Sequence, residues 1–190
     1  MSANNTRLDG TVNEDLLKAI NEAMQGVNFD NVDPDGNTFT EAPDGYYLCE
    51  LKKAQFGFSK KGNLQVACQF KAVEDGCDLD VDKYGNVKVI NIPKTKGKVF
   101  FKYYSYNAED KILRFANDMA KFIDENNQPL LEAEAYKAGA EILIESLQLL
   151  EAAAPQIYCK QETSANDDGT SSTWFNPVSW NTAKKLGLPQ

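Results

Sequence analysis

The sequence predicts an α+β fold, built mainly on antiparallel strands. Apolar and polar residues alternate with a period of two over much of residues 45–106 and again near the C-terminus, which is typical of half-buried antiparallel strands. Apolar residues at helical spacing separate these two regions. The 190 residues are 42% hydrophobic and 25% charged, which suffices for one substantial core but not for two large domains.

The first 44 residues predict an acidic helical arm followed by a linker. Asn13 can cap a helix that begins at Glu14, because its side chain accepts hydrogen bonds from the first free backbone N–H groups. Residues 27–44 are rich in Asp, Asn, Pro and Gly, and they predict turns. We expect the arm (1–44) to lie outside the main domain, with its helix packed back on the body or docked on a partner.

Strands dominate the next sixty residues. A strand over 45–58 turns at 59–63 into a return strand over 64–73. An acidic turn over 74–82 leads to a strand over 86–93, which turns into another over 98–106. We therefore expect two successive hairpins. In the return strand one face, expected to be buried, holds Leu64, Val66, Cys68 and Phe70.

Helices follow, and then a last hairpin. Apolar spacing predicts a helix over 109–126 and a second over 140–153, although 142–150 would also suit a strand. Strands at 157–163 and 173–178 precede a tail at 181–190. Strands, a helical segment and further strands are the order of an oligonucleotide-binding (OB) barrel. Residues 45–180 are thus expected to form an OB-like domain of five to six strands with an inserted helical segment.

Enzyme chemistry finds little support in the chain. It has no histidine, and neither a P-loop nor a dinucleotide fingerprint occurs. No cofactor or metal is expected, because the four cysteines lack paired zinc-ligand spacing and are more typical of buried free thiols than of disulfides. Asn31, Asp33, Asp35 and Gly36 partly match a calcium loop, as does the Asp78–Asp82 run, but both lack its terminal acid, which favours solvated turns.

The net charge of −8 is unevenly distributed. Residues 1–44 hold 2 bases and 9 acids, and residues 107–154 hold 4 and 10. Residues 45–106 instead hold 11 bases and 6 acids, which gives this segment a net charge of +5. Because the local field steers association, an acidic chain of this kind can still bind nucleic acid through its basic middle.

Residues 83–106 carry the clearest functional signal, with six lysines, six aromatic residues and no acid. Such a surface suits a single nucleic-acid strand, because lysines neutralise phosphates and rings stack on bases of any sequence. On the strand over 98–106 we expect the odd positions to face the core and the even positions to be exposed. The candidate nucleic-acid-binding residues are Lys52, Phe56, Lys60, Lys61, Lys94, Lys96, Lys98, Phe100, Lys102, Tyr104 and Tyr106, and Trp174, Phe175 and Trp180 are weaker candidates.

Two other interpretations of this block remain open. Lysines on strands also prevent edge-to-edge aggregation, and Phe and Tyr are normal strand residues, so the block can be an ordinary sheet. Exposed rings can equally contact another protein.

Residues 43–180 resemble a family of small bacteriophage single-stranded-DNA-binding proteins with an OB barrel. The resemblance is carried by a strand entry at Gly45 and Tyr46, a Ser-Lys-Lys-Gly turn at 59–62, a return strand that ends at 70–73 and a Phe-Asn-Pro strand at 175–177. Many single-stranded-DNA-binding proteins end in an acidic tail that recruits partners. This chain ends in LGLPQ, which leaves the N-terminal arm as the only obvious contact for replication or recombination proteins.

The sequence therefore predicts a non-enzymatic protein that coats single-stranded DNA during phage replication or recombination, independently of base sequence. We expect a cytoplasmic protein, since no apolar run is long enough to cross a membrane and no secretory signal is present. It could form homo-oligomers. The alternative is a protein-interaction or virion-assembly module without nucleic-acid activity.

Overall fold

The computed structural model of the chain describes residues 14–27, 29, 43–167 and 169–189. Within these ranges lie seven strands and five helices. The strands are β1 (Gly45–Phe58), β2 (Leu64–Ala72), β3 (Gly76–Val81), β4 (Val87–Ile92), β5 (Val99–Ser105), β6 (Gln156–Ala165) and β7 (Ser171–Val178). The helices are α1 (Glu14–Met24), α2 (Glu109–Met119), α3 (Ala133–Lys137), α4 (Ala140–Ala153) and α5 (Trp180–Lys185).

Strand β1 is the centre of a sheet in which every pairing is antiparallel. One path runs β4-β3-β1-β2-β5, and β6 pairs with both β1 and β7. Residues 49–58 of β1 pair with β2, whereas residues 45–50 pair with β6. The register with β2 shifts between Leu51 and Lys53, a bulge of the kind that bends a strand. One strand thereby serves two parts of the sheet.

The expected α+β fold with antiparallel strands is confirmed, but the sheet does not close. Among the described residues, β5 pairs only with β2 and β7 only with β6. The two edges nevertheless approach through their side chains, because the rings of Phe100 on β5 and Phe175 on β7 stack with centroids 4.7 Å apart. Phe70 of β2 packs against the same ring of Phe175, 5.4 Å away between centroids. The sheet is curved around a shared aromatic core.

Of the two expected successive hairpins, the first is confirmed, because β1 pairs with β2, and the second is wrong in its pairing. The segment expected as an acidic turn contains strand β3, which pairs with β4 from Gly76↔Ile92 to Val81↔Val87, and β5 pairs with β2 instead of β4. Cys77, Leu79 and Val81 alternate with aspartates, so the strand period was present, although the charges made it look like a turn. The β3–β4 hairpin is therefore an insertion between β2 and β5.

The helices differ from expectation mainly at their ends. The helix expected over 109–126 ends at Met119, and the segment after it forms a bridge between Ile123 and Pro129. The helical interpretation of 140–153 is confirmed by α4. The short helices α3 and α5 were not expected, and α5 occupies what was expected to be a tail. No helix in the described ranges is long and apolar enough to span a membrane.

Helix α1 packs on the body of the protein. Leu16, Ile20 and Met24 are buried in the main core, and Asn21 Oδ1 accepts a hydrogen bond from Ala140 N at the start of α4 (2.8 Å). Of the two arrangements expected for the arm helix, the structure has the packed one. The capping Asn13 and most of the linker lie outside the described residues.

A second, smaller apolar cluster lies on the outer side of the sheet. Tyr158 of β6, Cys77 of β3 and Leu188 after α5 are buried there, with Trp180 of α5 packed against the ring of Tyr158. The C-terminal residues therefore dock on the sheet. The β3–β4 hairpin extends beyond this cluster, and Tyr84 in its turn is 77% exposed.

Candidate nucleic-acid interface

The exposed side of β5 is the opposite of the one expected. Phe100, Lys102 and Tyr104 are buried, whereas Phe101 and Tyr103 are 47% and 59% exposed. The register explains this, because Phe100 pairs with Phe70 and Tyr104 with Val66, and paired residues point to the same face of a sheet. The face of β2 that holds Val66, Cys68 and Phe70 is buried, as expected. Because the even positions of β5 pair with these residues, they also face the core.

A buried charge network holds the even side of β5 in place. Lys102 Nζ lies 2.6 Å from Asp118 Oδ2 on α2, and the Tyr104 hydroxyl donates to the same oxygen at 2.8 Å. Lys121 Nζ donates to Asp118 Oδ1 (2.8 Å) and to Pro177 O on β7 (2.9 Å). The network links β5, α2 and β7. Lysine is tolerated in this core because its ammonium is paired and hydrogen-bonded.

The pKa values of the network are set by burial, which disfavours charge, and by ion pairing, which favours it. Burial lowers the pKa of Lys102, although the Asp118 carboxylate acts against this. For Asp118 burial acts to raise the pKa, but the ammoniums of Lys102 and Lys121 outweigh it and hold the pKa below its usual value. Burial also raises the pKa of Tyr104. The carboxylate is therefore held ionised, and the tyrosine protonated, at neutral pH.

The other predicted binding residues divide into two groups. Phe56 and Tyr106 are buried, with their rings edge to face at 4.9 Å, so neither can stack on a base. Together with Phe100, Lys102 and Tyr104, they are corrections to the expected site, because these side chains form the core. The predicted residues that do lie at the surface are Lys52, Lys60, Lys61, Lys94, Lys96 and Lys98.

The weaker aromatic candidates are mostly occupied within the protein. Phe175 is fully buried in the core. Trp174 is half-buried, with Nε1 3.2 Å from Ser164 Oγ, and Trp180 packs against Tyr158.

The outer face of β1, β2 and β5, on the solvent side of this core, brings together a different set of residues. Cross-strand pairing sets them in rows, with Val99 opposite Lys71, Phe101 opposite Gln69, and Tyr103 opposite Ala67. On the far side of β2, Gln69 pairs with Lys53 and Ala67 with Gln55. We call this surface the ring face: Lys53, Gln55, Ala67, Gln69, Lys71, Phe101 and Tyr103. It contains two rings and two cations, and Glu50, which forms an ion pair with Lys52, lies opposite Lys71 at its edge.

Basic turns lie beyond both ends of the ring face. The turn between β1 and β2 carries Lys60 and Lys61, both exposed. At the opposite end, the turn before β5 carries Lys94, Lys96 and Lys98, and Lys98 O accepts from Ala72 N at the end of β2 (2.9 Å). Lys52 is the extra residue of the β1 bulge and forms an ion pair with Glu50.

Sequence reasoning missed the rings and cations of this face. The odd positions of β5 read Val-Phe-Tyr, which resembles a core strand more than the even positions do. One signal was available: Asp118 lies three residues after Phe115 and four before Phe122, inside the apolar stripe of α2 and the turn that follows it. A carboxylate there requires a buried cation, and Lys102 is one of the two that meet it.

Among the described residues, no three His, Cys, Asp or Glu side chains are grouped so that they could hold a metal ion. Asp78 and Asp80 lie on β3, and the Asp82 carboxylate accepts from Tyr84 N and Asn86 N within the hairpin turn (2.8 and 2.9 Å). The Asn31–Gly36 segment lies outside the described residues. The expectation of buried free thiols is confirmed for all four cysteines.

No protein-family model matches the chain, and no curated protein sequence is significantly similar to it.

Proposed function

We propose that the protein binds single-stranded DNA through the ring face, without using base sequence as its main determinant, and that it coats transient strands during replication or recombination of a phage genome. The observation that carries the proposal is the exposed pair Phe101 and Tyr103, which alternate on one strand beside a column of glutamine and alanine. Large rings are costly to expose on a surface without a task.

The spacing of the two rings suits consecutive bases. Alternate residues of a strand point to the same face about 7 Å apart, at about 3.4 Å per residue. Bases of a strand splayed over a sheet can each stack on one such ring, as aromatic residues of other single-strand-binding sheets do. Each stacked base contributes about 1–3 kcal/mol, and the contribution tolerates any base.

Charge around the rings favours a polyanion. Lys53 and Lys71 lie within the ring face, and the turns at 59–63 and 94–97 place further lysines beyond its two ends. A strand that crosses the rings can neutralise phosphates at either end. We therefore expect affinity to fall with salt, with a slope of about −0.7 per phosphate contacted.

The topology supports a barrel of the OB type around this face. β1 is shared between β2 and β6, the helical segment α2–α4 lies between β5 and β6, and the β3–β4 hairpin can be set aside as an insertion. The remaining strands then follow the order of that barrel. In this proposal contacts between the Phe100 and Phe175 rings take the place of a hydrogen-bonded closure. The resemblance to phage single-stranded-DNA-binding proteins points the same way.

Fluorescence anisotropy with labelled oligo-dT over a salt series tests the proposal. At about 50 mM salt and micromolar protein we expect binding, which Phe101→Ala and Tyr103→Ala should each weaken by about tenfold or more. The matched control is Tyr84→Ala, because Tyr84 is an exposed ring on the hairpin and outside the ring face. Absence of binding under these conditions refutes the function, and equal loss in all three variants refutes the site.

The β3–β4 hairpin favours a second candidate, a protein-interaction module. Its register puts Leu79 opposite Val89 and Val81 opposite Val87 on one side, and Asp80 opposite Lys88 on the other. Val81, Val87 and Val89 are each more than 40% exposed. Loss of a copurifying protein from a Val87→Asp variant that still binds oligo-dT would support this role for the hairpin. A protein that copurifies with both forms would not.

A further inference from the structure

A polar pocket adjoins the ring face where α4 covers the open edge of β1. Beyond Glu50, no strand among the described residues pairs with β1 on the side that β6 occupies earlier. Residues in and after α4 meet that edge instead, because Leu51 N donates to Pro155 O at 3.0 Å and Ala54 N donates to Glu151 Oε1 at 2.6 Å. The side chain of Glu151 thus replaces one bond of a strand ladder.

The pocket has a volume of about 230 Å³. Its apolar wall consists of Phe56, Ile144 and Leu147, and its polar groups are the amides of Gln55 and Gln148 and the carboxylate of Glu151. Sites for drug-sized ligands have roughly 300–1,000 Å³, so this pocket suits a fragment of the size of one nucleobase. The apolar residues keep water away from one side of the pocket, and the amides can hydrogen-bond to the polar edge of such a base.

The pocket is continuous with the ring face through one small side chain. Tyr103, Ala67 and Gln55 form a single cross-strand row, and Gln55 also lines the pocket. Neighbouring strands are about 4.8 Å apart, so Gln55 lies about 10 Å across the sheet from Tyr103. Since Ala67 between them is short, a nucleic-acid strand that stacks one base on Tyr103 can direct a neighbouring base across this gap.

The chemistry of the pocket selects among bases. An ionised carboxylate only accepts hydrogen bonds and has about four lone-pair sites, of which the bond from Ala54 N uses one. Burial raises the pKa of Glu151, against the effects of the Ala54 N–H and of Lys53. Partial removal from water also strengthens the hydrogen bonds that a charged carboxylate makes.

We propose that this pocket holds the Watson–Crick edge of a guanine in the bound strand, an inference that rests on the proposed function. Guanine presents two adjacent N–H donors, N1 and N2, which Glu151 can accept together, and an O6 acceptor for the amide of Gln55 or Gln148. Thymine presents one N–H between two carbonyls, which repel the carboxylate. The protein is then expected to bind single strands that contain guanine more tightly than strands that lack it.

The test compares two labelled oligonucleotides by anisotropy: oligo-dT, and the same length with a single central dG. We expect the dG-containing strand to bind about tenfold more tightly, in line with a bidentate base contact. In Glu151→Gln the ratio of the two affinities should fall to about one. This variant keeps an oxygen that can accept the Ala54 N–H, so it should fold.

Glu145→Gln is the matched control, because it removes the same charge from an exposed position on the same helix outside the pocket. It should keep the tenfold ratio. If wild-type protein binds both strands equally, the guanine pocket is wrong and the proposed function stands. If it binds neither, the proposed function is wrong and the pocket is wrong with it. Equal loss of the ratio in both variants would assign it to helix charge and refute the pocket.

Discussion

Replacing Asp118 by asparagine is the sharpest test of the network that orients β5. Asp118 is the shared carboxylate of Lys102 and Lys121, both of which are almost fully buried. The change removes the negative charge and leaves two ammoniums without it. Leaving a buried charge uncompensated costs about 3–5 kcal/mol. For a protein of this length, that corresponds to a melting temperature lower by about 6–20 °C.

Lys102→Met is the matched control. It removes one of the two cations and leaves Asp118 paired with Lys121 in a one-to-one ion pair, so no charge is stranded. We expect a cost below about 2 kcal/mol, because an apolar chain of similar length fills the space of the lysine stem. Guanidinium unfolding of wild type, Asp118→Asn and Lys102→Met measures both changes in the free energy of unfolding. The dependence of that free energy on denaturant concentration should be the same in all three.

The pH dependence adds a second readout. The pKa of Lys102 is lowered in the folded protein, so between its folded and unfolded values the unfolded chain binds more protons and stability rises with pH. The Asp118 carboxylate acts to raise this pKa, so its removal should lower the pKa of Lys102 further and make stability rise more with pH. Asp118→Asn should therefore recover stability as pH rises towards 10.5, the ordinary lysine value. A cost equal to that of Lys102→Met, or no recovery at high pH, would refute the reasoning.

Three further predictions follow from the core. The pKa of Asp118 is lowered in the folded protein, so its contribution to wild-type stability is complete above the usual value of 3.8 and is lost as pH falls through the folded value. Between about pH 5 and 2, the urea midpoint of unfolding should therefore fall more steeply in wild type than in Asp118→Asn. Phe175→Ala should cost about 3–5 kcal/mol in guanidinium unfolding, because its ring joins the two edges of the sheet, and a cost below about 1 kcal/mol would contradict that role. The four thiols should react with a chromogenic disulfide reagent only after unfolding, because all are buried and burial raises the pKa of Cys68; rapid reaction of the native protein would contradict this.

Local pattern accounts for much of the fold. The period of two located β1, β2 and β5 within a few residues, and helical spacing located α1, α2 and α4. These elements carry their apolar residues on one face, so their identity is written in neighbouring positions. Strand β3 was not predicted, because the aspartates at its exposed positions are typical of a turn. Helix α5 has a capping serine, Ser179, but at six residues it is too short for an apolar stripe to mark it, and it depends on packing.

For the ring face, the expectation from sequence and the structure differ. The sequence by itself determined that a basic, aromatic strand with strict alternation lies at residues 98–106, and that one of its two faces is exposed. It could not determine which face is exposed, since the even positions hold lysines and rings and the odd positions also hold rings. Register with β2 and the carboxylate of Asp118 made that choice, and both come from residues distant in the chain. A shift of one residue in pairing exchanges the two faces of a strand, so only the tertiary structure could place Phe101 and Tyr103 in solvent and Lys102 in the core.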